Sequence, residues 1–173
     1  EELSRVLPVI EGIRASSDVA LSIDTMKAEV ARRAIERGVE IVNDVSALRF
    51  DPEMMQVVAD SEAGVILMHM QGMPATMQQN PQYEDVVGEV EEFLELRLEA
   101  AQRAGIDQGR ICIDAGIGFG KTLEHNLHLI RAGWRLRGLG VPVMLGASRK
   151  SFIGRLLNGA PPEERLEGSL AAA

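Results

Sequence analysis

The chain has 173 residues, 46% of them hydrophobic, with a formal net charge of -8 and a pI near 4.9. That is enough apolar material for one sizeable core, and the acidic balance argues against a nucleic-acid or anionic-membrane surface, leaving small molecules, phosphorylated ones included, as the expected partners. Its single cysteine, Cys112, excludes a disulfide framework and reads as a small core residue. No apolar run approaches the roughly 18 residues of a spanning helix and no signal peptide opens the sequence, so a soluble, cytoplasmic protein is expected.

Residues 1–14 place Leu3, Leu7, Ile10 and Ile13 at helical spacing, with Pro8 a kink or a late start. Val19 to Ile23 reads as a strand ending at Asp24-Thr25, followed by a helix to about Arg37 that Gly38 caps. Val39 to Val42 is the next strand, ending at Asn43-Asp44. Pro52 then opens a short helix to about Asp60, and Val65 to Met68 is a strand ending in His69-Met70-Gln71-Gly72. After a loop over 73–83, the longest helix runs from about Glu84 to Ala104, with Val87, Val90, Leu94, Leu98 and Ala101 as its apolar stripe and Gly105 at its end. Ile111 to Ile113 is a β-branched run that delivers Asp114 into the turn Gly116-Ile117-Gly118-Phe119-Gly120-Lys121. Leu123, Leu127, Ile130 and Trp134 stripe the following helix. Val141 to Leu145 is the fifth strand, leading into Gly146-Ala147-Ser148-Arg149-Lys150-Ser151 and a helix through about Leu157, and Pro161-Pro162 starts a last helix at about Glu163.

Alternating strand and helix imply parallel strands joined by right-handed crossovers. A doubly wound sheet and a (β/α)₈ TIM barrel both satisfy this. The barrel is favoured because every strand end carries polar groups, which a doubly wound sheet would concentrate at one switch point. Five strands are counted where a barrel takes eight, and the sequence opens and closes inside helices. The expectation is a single α/β TIM-barrel domain over residues 1–173, partial and incomplete at both termini.

Gly120-Lys121-Thr122 resembles the end of a phosphate-binding P-loop, but that motif needs a glycine where Ala115 stands; the glycines are likewise spaced G-x-G-x-G rather than as a dinucleotide fingerprint. What remains is a row of polar groups at strand ends: Asp24, Asn43, His69, Asp114 and the Ser148-Arg149-Lys150 trio. A lone Asp there ordinarily caps a helix. Recurrence at four strand ends points instead to a ligand, and two carboxylates, an amide and a lysine suit a planar, nitrogen-rich heterocycle, since a carboxylate accepts two parallel hydrogen bonds from an amidine-like edge. His69 either shapes the pocket or holds a loop, and Arg149 either orients the Lys150 loop or touches phosphate. His125 and His128 share a helix face but have no acidic partner that would complete a metal site.

Ser22-Ile23-Asp24-Thr25, Ile41-Val42-Asn43-Asp44, Leu67 through Gly72, Asp114 through Lys121 and Gly146 through Ser151 resemble, in order and spacing, the dihydropteroate synthases, folate-pathway enzymes inhibited by sulfonamides. That resemblance implies a (β/α)₈ barrel that joins 6-hydroxymethyl-7,8-dihydropterin diphosphate to 4-aminobenzoate with magnesium, releasing pyrophosphate, commonly as a homodimer. By it Asp24, Asn43 and Asp114 are pterin ligands, Lys150 reaches the pterin and lies beside the aminobenzoate, Met68 and Gly146 line the pterin slot, and Phe119 and Ser151 border the aminobenzoate. Asp24, Asp114 and Lys150 would carry the catalysis. The family's usual Asp-Pro-Gly is Asp114-Ala115-Gly116 here; its magnesium-binding asparagine would lie before residue 1, and its diphosphate-binding arginine and histidine after residue 173. The alternatives are a pterin-binding barrel of the methyltransferase type, non-catalytic by itself, or an inactive fragment; the Ser148-Arg149-Lys150-Ser151 motif speaks for the synthase.

Overall fold

The computed structural model describes all of residues 1–173. Strand and helix alternate: α1 (Glu2–Arg14), β1 (Ser22–Asp24), α2 (Ala28–Ile35), β2 (Ile41–Asp44), α3 (Met54–Ala59), β3 (Gly64–Met68), α4 (Val86–Arg103), β4 (Ile111–Asp114), α5 (Leu123–Ala132), β5 (Val143–Met144), α6 (Ser151–Leu156) and α7 (Leu166–Ala172). Short 3-10 segments lie at Gln108–Arg110, Gly133–Leu139 and Pro162–Glu164. The first four strands stand in chain order, β1-β2-β3-β4. The β1–β2 and β2–β3 pairs are parallel, with Asp24 opposite Asn43 and Asp44 opposite Leu67. No helix is long and apolar enough to cross a membrane.

The chain forms two compact units, Glu1–Met68 with Leu96–Ile113, and His69–Glu95 with Asp114–Ala173. In the first, Val42, Met54, Val58, Val65, Leu67, Ile111 and Ile113 are almost wholly buried. Side chains of this kind contribute roughly 1.5–3 kcal/mol each through burial. Helix α2 ends as its sequence predicts: Gly38 takes φ +91, and the Val39 N–H reaches back to the Ala34 carbonyl at 3.1 Å. After β2 the buried Asp44 carboxylate accepts from Ser46 N and Ser46 Oγ, both at 2.7 Å, and from Leu48 N at 3.1 Å. These bonds hold Ala47 and Leu48 at φ 54 and 60, and burial pushes the Asp44 carboxyl above its ordinary value despite them. Asp44 is therefore a loop anchor.

In the second unit the core draws on Val86, Val90 and Leu94 of α4, on Ile117, and on Phe152 and Ile153 of α6, which packs on α5. The apolar stripe of α4 starts at Val86 rather than Val87. The first strand is shorter than expected, with Val19 55% exposed outside it. The fifth is also short, because Pro142 has no N–H to give a ladder. Helix α1 runs through Pro8 from Glu2, so there is no late start. Trp134 does not join the α5 stripe: the helix ends at Ala132, and the tighter 3-10 turn that follows buries Leu136 and leaves Trp134 71% exposed. Cys112, expected in the core, is half-buried.

Candidate active site

Asp24, the last residue of β1, and Asn43, the last but one of β2, stand opposite each other in the parallel register. Asn43 Nδ2 lies 3.3 Å from Asp24 Oδ2, and this orientation is dictated by chemistry, because a carboxylate only accepts. Asn43 Oδ1 is consequently turned away, buried and without a hydrogen-bond partner in the chain. A buried acceptor of this kind is ordinarily satisfied, so it marks a place for a ligand donor. Asp24 is not a helix cap: α2 begins at Lys27–Ala28, and the Ala28 N–H is taken by Asp51 Oδ2 at 2.8 Å. Met68, at the end of β3, is buried.

In the second unit Asp114 is 4% exposed. Its Oδ1 accepts the Gly116 N–H at 2.7 Å, and its main-chain oxygen accepts the His69 N–H at 3.0 Å. A side chain at Gly146 would have its Cβ 3.6 Å from Asp114 Oδ2, so glycine there keeps that oxygen open. Burial is the largest influence on this carboxyl and pushes it up, while the Gly116 N–H, Lys150 and Lys121 pull it back toward ionisation. Asp114 is not the cap of α5 either, since Thr122 caps that helix and His125 Nδ1 completes the capping box. His125 thus has a capping duty within the chain.

The turn after Asp114 requires its glycines: Gly116, Gly118 and Gly120 take φ 67, 84 and 60. At Gly118, beneath the lysine stem, an added Cβ would sit 3.2 Å from Lys150 Cδ. Lys150 Nζ lies 4.2 Å from the centroid of Phe119, a cation–π contact. Ser151 starts α6 and is exposed. At Gly120 an added Cβ would be 2.6 Å from the Gln71 carbonyl oxygen, and Tyr83 Oη donates to the Gly120 carbonyl at 2.8 Å. Gly120→Ala is thus expected to destabilise the protein by about 2 kcal/mol, readable as a lowered midpoint in urea; an unchanged midpoint would show that the Gln71 loop moves aside freely.

Sequence reasoning passed over Lys121, weighing it only as part of a failed P-loop pattern. It is buried, with Nζ 3.0 Å from His69 Nδ1, 2.9 Å from the Phe119 carbonyl and 3.4 Å from the His69 carbonyl. Three acceptors suit an ammonium, which fixes His69 in the tautomer protonated on Nε2. Burial opposes that charge and brings the lysine down to about 7. His69 in turn meets Phe93 edge-on, ring centroids 4.8 Å apart. Of its two expected roles, then, the structure shows His69 tying the β3 end to the glycine turn.

The family described as pterin binding enzyme matches residues 1–173. The chain belongs to that family. Among the pterin binding enzymes, it is 44% identical to a dihydropteroate synthase of Synechocystis over 169 residues, covering 98% of this chain and 58% of the relative. The chain thus spans about three fifths of the length of the curated relatives it matches. A dihydropteroate synthase structure from Stenotrophomonas maltophilia, with imidazole bound in its active site, superposes with a TM-score of 0.96 at 46% identity over 99% of this chain and 64% of that one. One from Xanthomonas albilineans in complex with 7,8-dihydropteroate gives 0.91 at 48% identity, over 99% and 62%. The fold class is therefore that expected, an α/β (β/α)₈ barrel with five of its strands in this chain.

Proposed function

We propose that this chain is the substrate-binding part of a dihydropteroate synthase, which joins 6-hydroxymethyl-7,8-dihydropterin diphosphate to 4-aminobenzoate. The observation that carries the proposal is the buried Asp114 carboxylate, with one oxygen fixed by Gly116 and the other left open by Gly146. Such an acceptor matches the paired N–H donors of a pterin's amidine-like edge, and those donors favour its ionised form. In the same unit as Asp114, Gly146 is assigned to the pterin, and Phe119 and Ser151 to the aminobenzoate; in the other unit, taken by itself, Asp24, the unpaired Asn43 Oδ1 and Met68 are assigned to the pterin on the family resemblance. Lys150, already on the Phe119 ring, is assigned to both substrates. The Xanthomonas complex with 7,8-dihydropteroate, the product of this reaction, supports the assignment.

In the reaction the exocyclic methylene carbon loses its bond to the diphosphate oxygen, the amine nitrogen of 4-aminobenzoate bonds to that carbon, and the amine gives up one proton. A neutral aromatic amine is nucleophilic enough to need no covalent intermediate on the protein. The carboxylates stabilise positive charge developing on the pterin methylene as the diphosphate leaves. Magnesium, proposed as the counter-ion of that diphosphate, would be held chiefly by the diphosphate oxygens, since no three His, Cys, Asp or Glu side chains are grouped here to hold a metal by themselves; no step is routed through it.

Calorimetric titration with the pterin diphosphate, with and without magnesium, tests the proposal; absence of binding under both conditions would overturn it for this chain. Lys150→Ala is expected to weaken each substrate by about tenfold, and loss of only one would show that the lysine serves that one alone. A cytoplasmic homodimer is proposed as well. Trp134, Leu156, Leu157, Leu166 and Leu170 are exposed on the last elements, where Leu127, Ile130, Phe152 and Ile153 help wall an apolar cavity of about 220 Å³. A monomer by light scattering would overturn that part.

A further inference from the structure

Arg149, the residue before Lys150, stands at φ +53, a left-handed conformation that a non-glycine residue keeps only where its surroundings hold it. Two side chains do so, Arg165 at the N-terminus of α7 and Ser169 within that helix. The Arg149 N–H donates to Ser169 Oγ at 2.9 Å, and the Arg149 carbonyl accepts from Arg165 Nη1 at 3.0 Å. That carbonyl shares a rigid peptide plane with the Lys150 N–H, which itself donates to the Ala147 carbonyl at 3.3 Å. The backbone from which the lysine side chain departs is therefore held on both sides of residue 149.

The clamp is braced by its own bonds. Arg165 Nε donates to the Ala160 carbonyl at 2.8 Å, and Ser169 Oγ donates to the Arg165 carbonyl at 2.6 Å. In α6, a Cβ at Gly154 would fall 2.6–2.7 Å from three guanidinium atoms of Arg165, so the missing side chain is what admits the guanidinium. Beyond the clamp the Lys150 stem passes Gly118 and ends on Phe119.

We infer that Arg165 and Ser169 are positioning residues for Lys150: they hold Arg149 left-handed and so set the line along which the ammonium meets the pterin and the aromatic amine. Neither is assigned to a substrate. The inference rests on the assignment of Lys150 to the substrates made above. It also gives Arg149 a main-chain duty, that of orienting the Lys150 loop.

The test uses Ser169→Ala and Arg165→Met, with Arg165→Lys as the conservative variant, each alone and combined with Lys150→Ala. Amide hydrogen exchange over residues 147–151 reports the clamp, and the dissociation constant for 6-hydroxymethylpterin diphosphate reports its consequence. Exchange there is expected to quicken about tenfold in Ser169→Ala and Arg165→Met while residues 111–116 stay protected, with Arg165→Lys recovering part of the protection. Pterin affinity is expected to fall about tenfold when Lys150 is present and less than about twofold when it is alanine. Unaltered exchange would overturn the inference, and so would an equal loss of affinity in both backgrounds, which would mean that Arg165 acts on the fold at large. If Lys150→Ala alone binds the pterin as the parent does, the assignment of Lys150 falls, and with it the claim of positioning, however fast the loop exchanges. Should Arg165→Met fail to fold, Ser169→Ala, which removes a single oxygen atom, carries both measurements.

Discussion

Asp114→Asn is expected to abolish pterin binding, raising the dissociation constant by about a thousandfold. The reason lies in the one contact that the asparagine must keep. Its oxygen has to go on accepting the Gly116 N–H, now made at 2.7 Å by Asp114 Oδ1, and this turns the amide nitrogen toward the opening at Gly146. A donor would then face the donors of the pterin edge, and one ligand N–H would be buried unpaired. The fold should tolerate the change. Burial already disfavours the ionised carboxyl, so a neutral amide of the same shape removes a charge that folding does not favour. The check is calorimetric titration alongside a thermal melt: lost binding with an intact melt supports Asp114 as the ligand to the amidine-like edge, and an unchanged dissociation constant removes it from that role.

The stability of the protein is expected to rise by about 3 kcal/mol between pH 7 and about pH 9.5, through Lys121. Burial, the leading cause, brings the folded lysine down to about 7 from its ordinary 10.5, with Lys150 adding to the effect and Asp114 opposing it. Between those two values the unfolded chain binds the extra proton, so raising the pH favours the folded state; below about 7 both states carry the proton and the burial penalty is present in full. Lys121→Met should flatten the profile over this range, since it removes the titrating group and leaves the stem. Urea unfolding of both proteins at the two ends of the range decides the matter. Parallel profiles would mean that the three acceptors around Nζ hold the ammonium charged throughout.

Where the chain obeys local rules, its sequence was enough. The Gly38 and Gly105 ends, the β4 boundaries and the strand-end aspartates follow from backbone sterics and from a short β-branched run, all properties of neighbouring residues. Where placement depends on phase or on distant partners, the sequence was mute. Trp134 left the α5 stripe because three residues per turn replaced 3.6, and nothing in the residues 133–139 announces that change. The pairing of Asp24 with Asn43 needs a parallel register set across a whole crossover. Lys121 is the clearest omission: one lysine in a glycine-rich turn looks like a solvated charge until His69, 52 residues earlier in the chain, supplies its cradle. The Arg165 and Ser169 contacts to Arg149 escaped for the same reason, being 16 and 20 residues away.

The chain carries one tryptophan and one tyrosine, and the exposure of Trp134 gives them opposite uses as optical reporters. Indole emission from Trp134 already comes from a watery setting in the folded protein, so it shifts little on unfolding and is better suited to detecting a second surface that covers it. Tyr83, half-buried, with its hydroxyl on the Gly120 carbonyl and its ring against His125, senses the glycine turn. Near-ultraviolet dichroism from that phenol is then a label-free signal for order around the glycine turn, even in preparations whose fluorescence looks unremarkable.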